Sequence, residues 1–198
     1  MTKASGRPPR SERDISEFRS KVVKHALTLY REEGFGAVSM RRLAREVGCA
    51  PMTIYAHFDG KTDILRHLWS DVLADMADYI RKNLNPIVEP VDRLQSAAQS
   101  FVTYWIDHPD HFRLVFMSND VERSDVGTFM RDPKTLEHFQ LFTDLVAGVL
   151  SSEDHAKAKT DTLVSAMIGM ALCYNTIHDY PWVSVSAMTG QLVDGIIN

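Results

Sequence analysis

The sequence predicts an all-α protein with a small N-terminal helical head and a larger helical body. Apolar residues recur every three or four positions along most of the 198 residues. Glycine and proline interrupt these runs where helices are expected to end or begin. No stretch alternates apolar and polar residues for long enough to indicate a β-strand. The hydrophobic fraction of 44% is ordinary for a globular chain and leaves enough material for a core.

Two helices are predicted before residue 50. The first begins at Asp14 with a helical apolar stripe, and Gly34 ends it because glycine adopts left-handed backbone angles at low cost. Ser39 is a suitable N-cap for the second helix, since its hydroxyl can accept a hydrogen bond from a first-turn amide. Gly48 then ends that helix.

A third helix is expected to begin at Pro51, since the N–H that proline lacks would be unpaired in the first turn. Ile54 and Phe58, four residues apart, give this helix an inner face. Two short helices around a tight turn, followed by the start of another helix, are typical of a helix-turn-helix, whose second helix enters the major groove of DNA. Residues 39–61 therefore predict a DNA-binding module.

The body continues the helical period. A long helix is expected from about Lys61, and Pro86 marks its end. Further helices close near Pro109 and open at Pro133, and a last helix restarts at Pro181. The last two helices carry small residues and methionines on their apolar stripes, which permits close approach of another helix. We therefore expect them to form a two-fold dimer interface.

Charge is distributed unevenly along the chain. Residues 1–62 contain 12 Lys and Arg against 7 Asp and Glu, a net charge of +5, whereas residues 63–198 contain 10 against 19, a net charge of −9. A basic segment joined to an acidic one is typical of a polyanion-binding module attached to a different domain. Residues 1–13 are polar and include four cations. They form either a solvated tail or a flexible basic arm that follows phosphates or enters a minor groove.

Four polar side chains on or just after the third helix are candidate DNA contacts. The hydroxyls of Thr53 and Tyr55 can bond phosphate oxygens or base edges, and His57 can donate to phosphate. Lys61 lies where the next helix begins, and there the helix dipole favours an anion. The alternative is that all four are ordinary surface residues of a small helical domain.

Further candidates precede these four. Arg41 and Arg42 are long cationic side chains on the second helix that can extend toward DNA. Arg41 can bond guanine bidentately if its end of the helix meets the groove. The start of the third helix, Ala50-Pro51-Met52, is unusually apolar for a DNA-reading surface. Ala50 and Met52 can make apolar contact with thymine methyl groups.

The run AVSMRRLAREVGCAPMTIYAHFDGKTDIL, after a helix ending in YREEGFG, resembles the DNA-binding domain of the tetracycline-repressor (TetR) family of bacterial transcriptional regulators. The positions that match are Gly34, Ser39, Leu43, Ala44, Gly48, Thr53, Tyr55, Phe58, Lys61 and Leu65.

The resemblance covers the first third of the chain. It implies an all-helical homodimer that binds a palindromic operator in double-stranded DNA and represses transcription until a small-molecule effector binds. It also implies a DNA-binding domain over residues 14–60 and an effector-binding and dimerisation domain over residues 61–198. The implied DNA contacts, together with the candidates above, are Ser39, Arg41, Arg42, Ala50, Pro51, Met52, Thr53, Tyr55, His57 and Lys61. Many members carry Val-Ser and a polar or basic residue where this chain has Cys49-Ala50-Pro51-Met52.

Aromatic residues in the body are candidates for the effector pocket. Tyr104, Tyr174 and His178 are favoured because each brings a polar group that can orient a ligand. The other candidates are Phe101, Trp105, Phe116 and Phe139. The alternative for each is a core position, since aromatic residues at helical spacing are usually buried.

Other functions are not indicated. Cys49 and Cys173 form no metal-binding or redox pair, and the sequence Asp107-His-Pro-Asp-His is better explained as a helix end and restart than as a metal site. We find no nucleophile–base pattern and no phosphate loop, so neither an enzyme nor a cofactor is expected. No apolar run reaches the ~20 residues of a membrane span. A cytoplasmic repressor is favoured over a DNA-binding regulator without a ligand and over a helical enzyme or carrier.

Overall fold

The computed structural model describes residues 11–117, 133–150, 155–177 and 179–198, and every regular element within these ranges is helical. The prediction of an all-α fold is therefore confirmed. Backbone contacts divide the chain into two compact units, an N-terminal unit that ends at Leu68 and a C-terminal unit over Trp69–Asn198. Among the described helices, none has the length and apolar character needed to cross a membrane. Residues 1–10 of the expected arm, and His178, lie outside the described residues.

Within residues 11–68, the N-terminal unit contains three complete helices and the first turns of a fourth. These are α1 (Glu12–Glu33), α2 (Met40–Val47), α3 (Pro51–Tyr55) and α4 (Lys61–Leu84), with a 3-10 turn at Phe35–Ala37 between α1 and α2. Their inward side chains form a common apolar core. Its members include Val22, Ala26, Leu43, Ala44, Ile54, Phe58, Ile64 and Leu65, each at most 2% exposed.

Helix ends in this unit follow local capping chemistry. Ser11 and Asp14 form a capping box, with Ser11 Oγ accepting from the Asp14 amide at 3.2 Å and Asp14 Oδ2 accepting from the Ser11 amide at 3.0 Å. Helix α1 therefore begins at Glu12, two residues before the expected start. Gly34 and Gly48 end α1 and α2 with φ of +79°, the backbone region that favours glycine. Ser39 caps α2 as predicted, its Oγ accepting from the Arg42 amide at 3.3 Å.

The C-terminal unit is built around one central helix. Helix α5 (Pro90–Asp107) packs against α6 (Pro109–Phe116), α7 (Pro133–Ala147), α8 (Ala156–Thr176) and α9 (Val185–Ile197). Because it meets helices on several sides, eight of its side chains are buried. The remainder of α4 also contributes to this core through Val72, Met76, Ala77 and Ile80, each at most 2% exposed.

The last helix begins later than the sequence predicted. It was expected to restart at Pro181, but α9 begins at Val185, because Ser184 Oγ accepts a hydrogen bond from the Ala187 amide at 3.2 Å. The segment before it is held by Trp182, whose Nε1 donates to the Ile177 carbonyl at 3.1 Å. A good N-cap serine thus determines the start of the helix more strongly than the proline before it.

Candidate nucleic-acid interface

The helix expected to read DNA is very short. Helix α3 ends at Tyr55, so the residues up to Phe58 that were expected to continue it form a turn. Its N-cap, Ala50, provides no side-chain hydrogen bond. Ile54 and Phe58 are 0% and 1% exposed, so the predicted inner face is confirmed. Because an isolated helix of this length is unstable in water, packing of these two side chains is what holds α3 in place.

The opposite face of α3 is open to solvent. Met52 is 76% exposed and Tyr55 is 50% exposed, although both are large side chains that normally avoid water. Ala50 and Pro51 are also exposed, and Thr53 is half-buried. The structure thus brings the apolar start of α3 and the Tyr55 phenol together on the side of the helix that does not face the core.

His57 lies in the turn after α3 and is held by α1. Its ring centroid is 4.8 Å from that of Phe18, and its carbonyl accepts a hydrogen bond from Arg19 Nη2 at 3.0 Å. A second α1 cation, Lys21, donates to the carbonyl of Val47 at 3.1 Å. Sequence patterns did not identify Arg19 or Lys21, because a cation on an amphipathic helix resembles any solvated one.

The start of α4 already carries a negative charge next to Lys61. Asp63 accepts hydrogen bonds from the Asp59 amide at 3.2 Å and from Arg66 Nη2 at 2.7 Å. Burial raises the pKa of Asp63, but these hydrogen bonds and the Arg66 charge outweigh burial and leave the pKa below its usual value. Asp63 therefore remains ionised at neutral pH. A phosphate near the half-buried Lys61 would be attracted by the Lys61 ammonium group and repelled by the Asp63 carboxylate.

The two neighbouring arginines of α2 differ. Arg42 forms a bidentate pair with Glu33 at the end of α1, with Nη1 donating to Oε2 at 2.7 Å and Nη2 bonded to Oε1. Glu46 Oε1 lies 3.9 Å from Arg42 Nε. The hydrogen bond from Arg42 also holds the pKa of Glu33 below its usual value. Arg41 is exposed and has no such pairing within the described residues. Of the two, Arg42 ties α1 to α2, and Arg41 is the one available to a ligand.

The effector-pocket candidates that the structure describes lie in three places. Phe101, Tyr104 and Trp105 are buried on α5, and the half-buried Phe116 has its ring 5.0 Å from that of Trp105. Tyr174 lies apart from them, with its hydroxyl bonded to the Val183 carbonyl and its ring 6.0 Å from that of Trp182. Phe139 is half-buried on α7.

The Tyr104 hydroxyl and the Trp105 indole N–H, both on α5, differ in their hydrogen bonding. The Tyr104 hydroxyl lies 2.9 Å from His111 Nδ1 and 3.4 Å from the Val72 carbonyl, so the protein itself satisfies it. Trp105 is 0% exposed, and its Nε1 has no hydrogen-bond partner within the described part of the chain. A buried, unpaired indole N–H is uncommon and requires an explanation.

A mostly apolar cavity of about 320 Å³ lies near this part of α5, between α6 and α8. It is lined by Pro109, Arg113, Met117, Asn175 and Thr176. None of the six candidates that the structure describes lines this cavity, but Asn175 Nδ2 donates to the Trp105 carbonyl at 3.1 Å. No three His, Cys, Asp or Glu side chains among the described residues are grouped to hold a metal ion.

The chain is similar to known regulators in sequence and fold. Residues 22–68 match the family of bacterial regulatory proteins called the tetR family. An HTH-type transcriptional regulator of Staphylococcus aureus strain USA300 is 22% identical over 182 residues, which cover 92% of this chain and 94% of that protein.

Two crystal structures show the same fold. A TetR/AcrR-family regulator from Thermobifida fusca YX-ER1 has a TM-score of 0.64 at 19% identity, covering 92% of this chain and 97% of its own. FadR of Bacillus subtilis, solved in complex with stearoyl-CoA, has a TM-score of 0.64 at 12% identity, covering 90% and 97%. The matched segment contains α2, α3 and the start of α4, where the exposed face described above is found. Residues 22–68 therefore carry a DNA-binding segment of the tetR-family type, and the chain is a DNA-binding regulator whose fold is that of the solved tetR-family structures.

Proposed function

We propose that this regulator is a repressor that binds a palindromic operator as a homodimer and leaves it when a small apolar or aromatic effector binds. Residues 14–60 read the DNA, and residues 61–198 hold the effector and form the dimer. The observation that carries the proposal is the exposure of Met52 and Tyr55 on a helix whose opposite side is buried. A helix with one packed face and one face of exposed large side chains is suited to enter a groove.

The proposed contacts divide by chemistry. Thr53, Tyr55, His57 and Lys61 bind phosphate oxygens and set the register of the protein on the duplex. Arg41, with Ala50, Pro51 and Met52, reads base edges, and the apolar members of this group favour thymine methyl groups. Ser39 and Arg42 contribute by stabilising the DNA-binding domain, since both side chains already have hydrogen-bond partners within it.

The last two helices support a homodimer. Leu172 on α8 is 40% exposed, and beyond that helix Ile177 and Val183 are 48% and 61% exposed. Exposed apolar side chains within one short stretch of chain support a contact with another protein. A two-fold dimer also matches the two half-sites of a palindromic operator, which lie about one helical turn of DNA apart.

Two features of the C-terminal unit support an effector site. The cavity between α6 and α8 has the apolar lining and the few polar groups typical of small-molecule sites, and the buried Trp105 N–H is a hydrogen-bond donor without a partner among the described residues. Arg113 at the same cavity would attract an acidic group. Because FadR of Bacillus subtilis is similar in fold and binds stearoyl-CoA, a ligand screen for this chain should include fatty acyl-CoA thioesters.

The DNA-reading face is tested with a duplex that the wild-type protein selects from a random-sequence library. The Kd for this duplex is measured at several salt concentrations for the wild type, Tyr55→Ala and Lys61→Ala. Each variant should bind at least about tenfold more weakly, and Lys61→Ala should reduce the slope of log K against log salt by about 0.9, as expected for one lost phosphate contact. If both variants remain folded and bind as tightly as the wild type, the assignment of this face is wrong.

The alternative is a DNA-binding regulator that is controlled without a small molecule. The two are distinguished by extracting the purified protein for mass spectrometry and by a thermal-shift screen that includes acyl-CoA thioesters. A compound that raises Tm and weakens binding to the selected duplex supports the effector proposal, since a ligand shifts an equilibrium only between states that it binds differently. A screen without such a compound favours the alternative.

A further inference from the structure

We infer that two cations of α1, Arg19 and Lys21, are positioning residues for DNA reading. They hold the C-terminal end of α2 and the turn after α3 in the orientation that the duplex requires. We call this pair the α1 clamp. The inference rests on the proposed DNA-reading face and adds residues that the match to the DNA-binding family does not reveal and that need not touch DNA.

Each cation of the α1 clamp bonds a backbone carbonyl at or just beyond the end of one helix of the helix-turn-helix. Lys21 Nζ donates to the carbonyl of Val47, the last residue of α2, at 3.1 Å. Arg19 Nη2 donates to the carbonyl of His57, two residues beyond the end of α3, at 3.0 Å. The last carbonyls of a helix, such as that of Val47, lack partners in their own helix and carry partial negative charge, so a cation there is favourable. The end of α2 and the turn after α3 are therefore bound to the same short stretch of α1.

Arg19 and its neighbour hold the His57 turn in two ways. Arg19 fixes the backbone carbonyl, while the Phe18 ring lies 4.8 Å from the His57 imidazole. The Arg19 guanidinium carbon is also 5.9 Å from the centroid of the Phe58 ring. The chain immediately after the reading helix is thus held at its backbone and at a side chain that is itself a candidate phosphate contact.

Helix α3 needs such support because its own sequence stabilises it weakly. It has five residues and no side-chain cap at Ala50. Ile54 and Phe58 set how deeply it packs. The hydrogen bond from Arg19 to the His57 carbonyl adds an attachment beyond the other end of the helix and so restricts its orientation. Base-edge hydrogen bonds tolerate little misplacement, so orientation affects reading more than it affects folding.

Lys24 provides a matched control. It lies on α1 one turn beyond Lys21, is exposed, and has no hydrogen bond or ion pair of its ammonium group within the described residues. Lys24→Met removes the same charge from the same helix as Lys21→Met. Long-range attraction to DNA, which depends on net charge, therefore changes equally in the two variants.

The test compares Arg19→Met, Lys21→Met and Lys24→Met with the wild type. Two duplexes are used, one selected by the wild type from a random-sequence library and one of shuffled sequence and equal composition. Arg19→Met and Lys21→Met should bind the selected duplex about tenfold more weakly, roughly the effect of one impaired base contact. Binding to the shuffled duplex should change no more than in Lys24→Met, and the salt slope on the selected duplex should match that of Lys24→Met.

A conservative variant separates positioning from stability. Arg19→Lys keeps a cationic donor at the same position, so it should bind the selected duplex more tightly than Arg19→Met. Binding is measured well below the Tm of every variant, so that a loss of stability alone does not lower affinity.

Three results would overturn the inference. A salt slope that falls by about 0.9 relative to Lys24→Met, on both duplexes, would make Arg19 or Lys21 a direct phosphate contact. A lowered Tm with unchanged discrimination between the duplexes would make the α1 clamp purely structural. A wild type that enriches no sequence from the library would contradict the proposed function itself, and the α1 clamp with it.

Discussion

Helices α3 and α5 use large side chains in opposite ways. On α3, Met52 and Tyr55 are exposed, and the helix is held from behind by two buried residues. On α5, Phe101 and Trp105 are at most 2% exposed, and surrounding helices cover them. A binding function on an outward face of a helix is marked by an apolar or aromatic side chain exposed to water. A binding function inside a core is marked only by a buried polar atom without a partner, and among the described residues Trp105 Nε1 is such an atom.

The largest expected effect comes from removing one buried aromatic ring in each unit. Phe58→Ala and Phe101→Ala should each lower the free energy of unfolding of their unit by about 3–5 kcal/mol, because both rings are almost fully buried. Urea unfolding followed by circular dichroism and tryptophan fluorescence measures this. If Phe101→Ala costs less than about 1 kcal/mol while Phe58→Ala has its full effect, Phe101 lines a ligand site more than it forms core.

A smaller effect is expected at Trp105. Trp105→Phe removes this N–H, which has no partner among the described residues, and keeps an aromatic ring, so its cost in stability should stay below that of deleting a whole buried ring, about 3–5 kcal/mol. If this N–H binds an effector, the same variant should lose the thermal shift that the effector gives to the wild type. Trp182→Phe is the control, because the Trp182 N–H is already bonded to the Ile177 carbonyl. Equal loss of the shift in both variants would contradict a specific role for Trp105.

The smallest expected effect on stability is that of replacing Asp63 at the start of α4. Its folded-state pKa is depressed, so its carboxylate contributes stability above the unfolded pKa of about 3.9, and this contribution is lost as the pH falls through the lower folded value. Asp63→Asn should therefore destabilise the chain near neutral pH by less than about 1 kcal/mol, as is usual for a partly exposed pair. Thermal unfolding of both proteins from pH 7 to pH 2 should show the difference disappearing in acid. A difference that persists at pH 2 would indicate that the amide disturbs packing.

Much of the fold follows from local sequence rules. The start of α4 at Lys61 and the ends of α1 and α2 at Gly34 and Gly48 agree with the structure, because glycine and helix periodicity act over a few residues. The early end of α3 at Tyr55 was not predicted. Ile54 and Phe58 are four residues apart whether Phe58 lies on the helix or in the turn that follows it. The apolar pattern therefore does not show where α3 ends.

The candidate site was predictable only in part. The outward position of Met52 and Tyr55 follows from the buried spacing of Ile54 and Phe58. The pairing of Arg42 with Glu33, nine residues earlier, depends on how α1 and α2 pack. The same holds for Arg19 and His57, which are 38 residues apart. Contacts at such separations belong to the tertiary structure, and no local pattern encodes them.

The division of α3 into a buried side and an exposed side also affects how such a regulator can evolve. Substitutions at exposed positions usually change stability by no more than about 0.5 kcal/mol, so Ala50 and Met52 can be replaced at almost no cost to the fold. Ile54 and Phe58 cannot, because the helix depends on them. Since this exposed side is the one proposed to read DNA, the proposal implies that related chains acquire new operators by changing a few solvent-facing side chains while the scaffold that carries them is preserved.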